Sequence, residues 1–331
     1  MEARGRALFN LLRMNWEENS TLGVEPWQVE NYRSLSTDTL FERLRALEIP
    51  LDEERFGFYS EKCSCPEELT DTLWAKDAIE NFDEAYLLIF ELWRRLFPEK
   101  QSLSIFCDEL DHLIDLYDSG KELSEEKLQD TLGDLKRVLD EHSDQGQDAK
   151  HIFREISLFC AHDLESFIYD YASNLIDEGQ SPFASDLIDG FFPYIHDGNW
   201  FVFLQLRLMY ETDSDEAQPM LERLLEDLQE EPDFELLLEI TRFLVTRGAI
   251  HQFRRAIHQA RNSICTEQDF QELLALSCEF YRLLDREKEA HAVANMLLKR
   301  QGNPLEQELP SNDKAIQDYY RLFEDLDPTQ A

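Results

Sequence analysis

Turn-forming residues are scarce in this chain of 331 residues, which contains only 11 glycines and 11 prolines. Sheet-rich proteins need frequent turns, so this scarcity argues against a β-rich fold. No apolar stretch approaches the roughly 18 residues that a membrane-spanning helix requires. Charges interrupt the apolar residues of the opening segment MEARGRALFNLLRMNW too soon for the core of a secretory signal. These absences favour an all-helical, soluble, cytoplasmic protein without a membrane span.

Disulfide and catalytic patterns are also missing. The six cysteines show no spacing typical of a disulfide framework or of paired zinc ligands, so we expect reduced thiols; they stand at positions 63, 65, 107, 160, 265 and 278. There is no phosphate-binding loop, no nucleophile elbow and no glycine-rich dinucleotide turn. We therefore predict no enzymatic activity, no cofactor and no metal. An enzyme whose site is assembled from distant residues would need a deep pocket with strongly shifted carboxylate pKa values.

Basic residues are also scarce. The chain contains 32 of them against 70 acidic residues, so its net charge is −38. Such a surface repels nucleic acid and anionic lipid and favours basic protein partners, although acidity can also serve solubility alone. Hydrophobic residues nevertheless make up 43 % of the chain, which is enough for a packed core and excludes general disorder.

Two short patterns imitate metal sites. Glu109 and His112 have the Glu-x-x-His spacing of di-iron helical bundles, but the chain has no second such element. We expect an exposed acidic helix face there. The segment from Asp115 to Glu126 imitates a calcium loop but places Tyr117 where an oxygen ligand belongs. A helix that ends near Gly120 explains the same residues without an ion.

Helical periodicity continues along the whole chain and predicts four regions. These are an N-terminal helical subdomain over 1–80, a helical bundle region over 81–148, helical repeats over 149–302 and a C-terminal capping helix within 303–331. In the last helix Ile316, Tyr319, Tyr320 and Phe323 share one face, which suits a helix that covers the end of a repeat stack.

The second half carries an internal repeat. Four sets of residues with internal spacings of 5, 3, 4 and 5 begin at Phe167, Phe201, Leu237 and Leu274. Their starts lie 34, 36 and 37 residues apart, which is typical of stacked helix pairs. The sets predict antiparallel pairs with turns near 179, 212, 248 and 285.

In this spacing the segment 165–302 resembles a degenerate tetratricopeptide repeat. The resemblance implies an α-solenoid whose concave groove, lined by the first helix of each pair, holds a peptide or partner helix. The corresponding positions are Tyr169, Ser173, Val202, Leu206, Tyr210, Arg242, Glu279 and Arg282. In a generic helical bundle the same tyrosines and leucines would be core residues.

A basic segment lies within the third repeat. Residues 240–266 contain no acid but include Arg242, Arg247, Arg254 and Arg255. Arginine suits the recognition of carboxylates and phosphates, so a partner with an acidic or phosphorylated peptide would fit. Alternatively, the segment docks internally on the acidic tract 211–239.

The leading hypothesis is therefore a protein-binding adaptor or chaperone with a strongly acidic surface. The rival is an acidic decoy that imitates nucleic acid and occupies a basic partner. Decoy binding should weaken steeply with salt, whereas apolar groove binding should not.

Overall fold

A computed structural model describes residues 3–73, 81–121, 125–247, 250–310 and 313–324. Within these ranges the backbone forms seventeen α-helices and four short 3-10 segments. The one β-type pairing among them is an isolated bridge between Thr266 and Glu308. The predicted all-helical fold is confirmed. In the part of the chain that the structure describes, no helix is both long and apolar enough to cross a membrane.

The helices run in chain order as follows: α1 Arg6–Glu18, α2 Thr37–Ala46, α3 Glu53–Ser60, α4 Pro66–Leu73, α5 Phe82–Leu96, α6 Leu103–Asp118, α7 Glu125–Asp144, α8 Ala149–Ser157 and α9 Leu164–Asp177. The second half continues with α10 Ser181–Phe191, α11 Gly198–Thr212, α12 Ser214–Glu230, α13 Phe234–Arg247, α14 Ile250–Ala260, α15 Glu267–Leu283, α16 Glu287–Arg300 and α17 Lys314–Glu324.

Capping and turn residues account for several of these boundaries. The Ser102 hydroxyl accepts a hydrogen bond from the Ile105 N–H at 3.4 Å and starts α6. Gly120 follows α6 with φ +61°, and Gly179 separates α9 from α10 with φ +75°. Glycine adopts this left-handed conformation without the steric cost that a Cβ brings. The turns predicted near 179, 212 and 285 are present, and the one at 248 lies outside the described residues.

Backbone contacts separate the chain into two compact units. The first comprises Met1–Leu175 and Asp189–His196, and the second comprises Ile176–Ile188 and Asp197–Ala331. The first predicted repeat pair, α9 with α10, is therefore divided between the units. The four-region division at 80, 148 and 302 stays a prediction.

The core of the first unit is built around α5, which packs against α2 and α4, while α1 packs against α6. Leu88, Ile89, Leu92 and Trp93 of α5 are fully buried. A helix that is apolar on more than one face is typical of a central position. The burial of α5 thus follows directly from its composition.

The second unit contains three consecutive helix pairs, namely α11 with α12, α13 with α14, and α15 with α16. First helices adjoin first helices, since α13 packs against α15 and Phe203 of α11 meets Phe243 of α13 edge-on at 5.8 Å. Second helices adjoin likewise, because α12 packs against α14. This arrangement is compatible with a solenoid, and the closer resemblance to tetratricopeptide repeats stays a prediction.

Helix α17 packs onto the second unit through Ile316, Tyr319 and Tyr320, all of which are buried. The Tyr320 hydroxyl donates to the Ile257 carbonyl at 2.9 Å. The side chain of Phe323 lies outside the described residues. The apolar face predicted from the sequence therefore enters the core of this unit.

Candidate functional site

A cleft of about 300 Å³ lies beside α6 in the first unit. It brings charged side chains together, with cations from α1 and from Arg33 opposite the carboxylates of α6. The charged lining residues are Arg6, Arg13, Arg33, Lys121, Glu17, Asp108, Asp111 and Asp115.

Asp108 is the buried centre of this network. One of its oxygens accepts from Arg6 Nε at 3.2 Å and from Asn10 Nδ2 at 3.0 Å, and the other accepts from Arg33. Burial raises the pKa of this carboxyl, but the two guanidinium groups outweigh burial and lower the pKa to about 2. Asp108 is therefore a buried carboxylate that remains ionised.

Asp111, one turn later, has a contrasting environment. Both of its oxygens lie 2.9 Å from the Ala161 backbone N–H, one also accepts from the His162 N–H at 3.2 Å, and the other from Asn10 Nδ2 at 3.3 Å. Burial raises the pKa of Asp111 to about 6 in spite of these hydrogen bonds. The pKa values of these two neighbouring carboxyl groups are therefore widely separated.

The prediction of an exposed acidic helix face around Glu109 and His112 is wrong. Asp108 and Asp111 are buried, and Glu109 is half-buried between Arg33 at 2.9 Å and Lys127 at 2.8 Å. The reason is long-range charge pairing, which offsets the cost of removing carboxylates from water. Among the described residues no group of three or more potential metal ligands is found.

The segment that imitates a calcium loop begins with Asp115, whose carboxylate is already hydrogen-bonded to other side chains of the chain. Asp115 accepts from His162 Nε2 and from Arg13 Nη2, each at 3.0 Å. Helix α6 ends at Asp118, and Gly120 adopts the left-handed conformation of a helix terminus. The end of a helix therefore accounts for this pattern as far as the described residues show it.

The contacts of this charged network connect separate segments of the first unit to α6. Asp108 ties α1 and Arg33 to α6, while Asp111 ties the segment before α9 to the same helix. The cleft has the shifted carboxylates that a dispersed active site would need, but donors of the chain itself occupy their oxygens. These interactions organise the first unit rather than expose a free acid or base.

We predict that the first unit loses stability as pH rises from 5 to 8. The folded protein binds the Asp111 proton more tightly than the unfolded chain does, so the free energy of unfolding falls by about 1–2 kcal/mol over this range. His162, whose pKa is raised, adds to the trend, and His112, whose pKa is lowered, opposes it. Asp108 and Asp115 stay ionised throughout, because their pKa values are lowered.

Urea unfolding at four pH values checks this prediction. Asp111→Asn should flatten the profile, because the group that titrates is removed. Asp130→Asn, an exposed change on α7, is the matched control and should keep the wild-type slope. An identical slope in all three proteins would contradict the assignment to Asp111.

The residues predicted to line a groove lie in different settings. Tyr169 and Ser173 are half-buried on α9 in the first unit, and Val202 is half-buried on α11 in the second. Leu206 and Tyr210 are buried in the core of the second unit, so they serve packing and not an open surface. Three further positions are exposed, namely Arg242, Glu279 and Arg282.

The predicted basic segment is partly paired within the chain. Arg255 of α14 binds Glu222 and Glu226 of α12, so the acidic tract 211–239 does supply its counter-charge. Arg247 is exposed and its guanidinium lies 4.9 Å from the centre of the Phe243 ring. Arg242 pairs with a glutamate of its own helix and Arg254 is half-buried. Internal docking therefore accounts for Arg255.

The C-terminal end of α12 concentrates exposed acids. We call Glu226, Asp227, Glu230 and Glu231 the acidic end of α12; all four side chains are exposed. The last turn of this helix contains no basic residue. Sequence reasoning noted the acidic tract but missed its position at a helix terminus, which depends on knowing where α12 ends.

Comparison of the chain with family models, with curated proteins and with solved structures finds no match.

Proposed function

We propose that the second unit is a protein-binding helical repeat, an adaptor or chaperone, whose partner presents clustered lysines or arginines. The observation that carries this proposal is the acidic end of α12. Its four carboxylates are exposed, and Arg255 approaches one of them, at 3.9 Å from Glu226.

The position of these acids is unfavourable for the protein alone. A helix C-terminus carries partial negative charge, so acids there are destabilising. Glu226 and Glu230 are also a like-charge pair four residues apart on α12, and such pairs repel one another; Glu231 adds a further acid at the C-cap. Local conflicts of this kind are typical of functional sites. Cations of a partner would offset both the repulsion between these acids and their unfavourable interaction with the helix dipole.

The helix pairs supply the rest of the binding surface in this proposal. Glu279 and Arg282 are exposed three residues apart on α15, one of the first helices that the resemblance assigns to the groove. Arginine is among the residue types that dominate binding energy at interfaces. In this proposal the acidic end selects a basic partner, and the exposed first-helix positions contact the remainder of its peptide or helix.

The double substitution Glu230→Lys with Glu231→Lys tests the acidic end. It converts the repulsive Glu226–Glu230 pair into a favourable one and places cations at the helix C-terminus. We expect the free energy of unfolding to rise by about 1–2 kcal/mol. We also expect the variant to lose the basic proteins that the wild type captures from native lysate. Thermal melting and quantitative mass spectrometry of the captured proteins provide the two readouts.

The matched control reverses the same number of charges elsewhere. Glu125 and Glu126 lie in the first turn of α7, where acids are favourable. The double substitution Glu125→Lys with Glu126→Lys should therefore lower stability but keep the capture of basic proteins. Equal loss of capture in both variants, together with complete release at high salt, would favour the decoy hypothesis instead. Unchanged capture in the α12 variant would refute the proposed site.

The cytoplasm is the compartment we propose for this activity. All six cysteines are free thiols, and four of them are buried. Thiols are kept reduced in the cytosol.

A further inference from the structure

Two buried cysteines meet in the first unit. Cys107 lies on α6 and Cys160 lies between α8 and α9, and neither side chain has any exposed surface. The Cys107 side chain is close enough to Cys160 to raise the pKa of its thiol. Both thiols are free. The spacing of the two residues in the sequence gave no indication of this contact.

Independent contacts on both sides of Cys160 hold it against α6. On one side, Cys107 Sγ lies 4.0 Å from the Ile156 carbonyl oxygen. On the other, the N–H of Ala161 donates to both oxygens of Asp111 at 2.9 Å. Since Asp111 is one turn after Cys107, these contacts place Cys160 beside the same stretch of α6 that contains Cys107.

We propose that Cys107 and Cys160 form a redox modification site, which hydrogen peroxide converts into an intramolecular disulfide. One thiolate attacks a peroxide oxygen, gives a sulfenic acid and releases one water after protonation. The second thiol then attacks that sulfur, the S–O bond breaks and a second water leaves. Two thiols are oxidised and one peroxide is reduced to two waters. Peroxide is small enough to reach a buried pair when the segment opens locally.

The disulfide would fasten the segment before α9 to α6. The same segment holds the N-terminal region, because the Arg4 N–H donates to the Leu158 carbonyl at 2.8 Å. A cross-link that closes a loop of roughly 50 residues restricts the unfolded chain, so the oxidised first unit should be more stable. The neighbouring Cys107 side chain and burial both raise the pKa of the Cys160 thiol, so oxidation should accelerate at alkaline pH.

The other four cysteines offer controls. Cys265 is exposed and would form disulfides between molecules, so Cys265→Ser is the background for the experiment. Its side chain makes no hydrogen bond among those of the described residues, and its backbone N–H bond to Asp269 is kept. Cys278 is also buried, but its thiol faces the Ala290 carbonyl at 3.7 Å.

The test treats the full chain carrying Cys265→Ser with hydrogen peroxide, blocks the remaining thiols and maps disulfides by mass spectrometry without reduction. We expect a linked pair of peptides that contain Cys107 and Cys160, formed about tenfold faster per pH unit between pH 7 and pH 9. The melting temperature should rise by roughly 5 °C or more and return after reduction with dithiothreitol. Cys160→Ala should abolish the linkage, and Cys278→Ala should keep it.

Three outcomes would overturn the proposal. One is the absence of a 107–160 linkage at peroxide concentrations that oxidise Cys265 in the wild type. Another is a linkage that appears only in urea, because it would then belong to the unfolded chain. The third is a predominant disulfide that joins either residue to Cys63 or Cys65. The first measurement needs no substitution in the core, so a variant that fails to fold does not affect it.

Discussion

Asp108→Ala should lower the free energy of unfolding of the first unit by about 3–5 kcal/mol. The substitution removes the counter-charge of two arginines at once, since Arg6 and Arg33 both bind this carboxylate. Arg6 is buried, with 8 % of its side chain exposed, and so cannot recover its interactions with water. Leaving a buried charge without its partner is among the most destabilising single changes known in proteins.

Urea unfolding with a signal specific to the first unit measures this effect. Asp134→Ala is the matched control, because it removes an aspartate whose partner, Arg137, is exposed. Exposed ion pairs contribute little, so the control should unfold almost like the wild type. Asp108→Asn, which keeps the shape but not the charge, should fall between the two. Similar stability of Asp108→Ala and the control would show that the network is not holding α1.

The second large effect is expected at the end of the second unit. Tyr319 of α17 is completely buried, its ring lies 5.6 Å from that of Phe270, and its hydroxyl lies 2.6 Å from that of Ser277. Tyr319→Ala should cost about 3–5 kcal/mol, because it removes a large buried ring and leaves a cavity.

Tyr319→Phe separates packing from hydrogen bonding at this position. The Ser277 hydroxyl still donates to the Leu273 carbonyl at 2.8 Å, so we expect a loss of only about 0.5–1.5 kcal/mol. Arg321→Ala, an exposed change on the same helix, is the control for general effects on α17. Thermal and urea unfolding of the three variants give the comparison. A Tyr319→Ala protein as stable as the Arg321→Ala protein would mean that α17 does not complete the core.

Local signals were sufficient for the elements of this fold. Apolar residues three and four positions apart predicted the buried face of α17, and Pro98, Ser102 and Gly179 lie where helices begin or end. Helix formation depends on hydrogen bonds and capping contacts between residues a few positions apart, so these features are readable along the chain. For Arg255 the alternative of an internal counter-charge applies, because its partners lie in the adjacent acidic tract.

The burial of Asp108 and Asp111 was missed, although one signal was available for Asp111. At helical spacing Asp111 lies between Cys107 and Ile114, both completely buried, so an acid interrupts an apolar stripe. Its partners, however, come from Asn10 and from the segment at residues 161–162. Periodicity cannot tell a solvated acid from one that distant donors satisfy.

Composition and periodicity by themselves determined that this protein is acidic and helical, with consecutive helix pairs in its second half. Only the tertiary structure decided which charges are buried, that Leu206 and Tyr210 pack in a core, and that Cys107 and Cys160 are buried close to one another. The physical reason is the range of the interactions. Helix formation is local, whereas burial, ion pairing and thiol contact depend on residues that the fold brings together from distant parts of the chain.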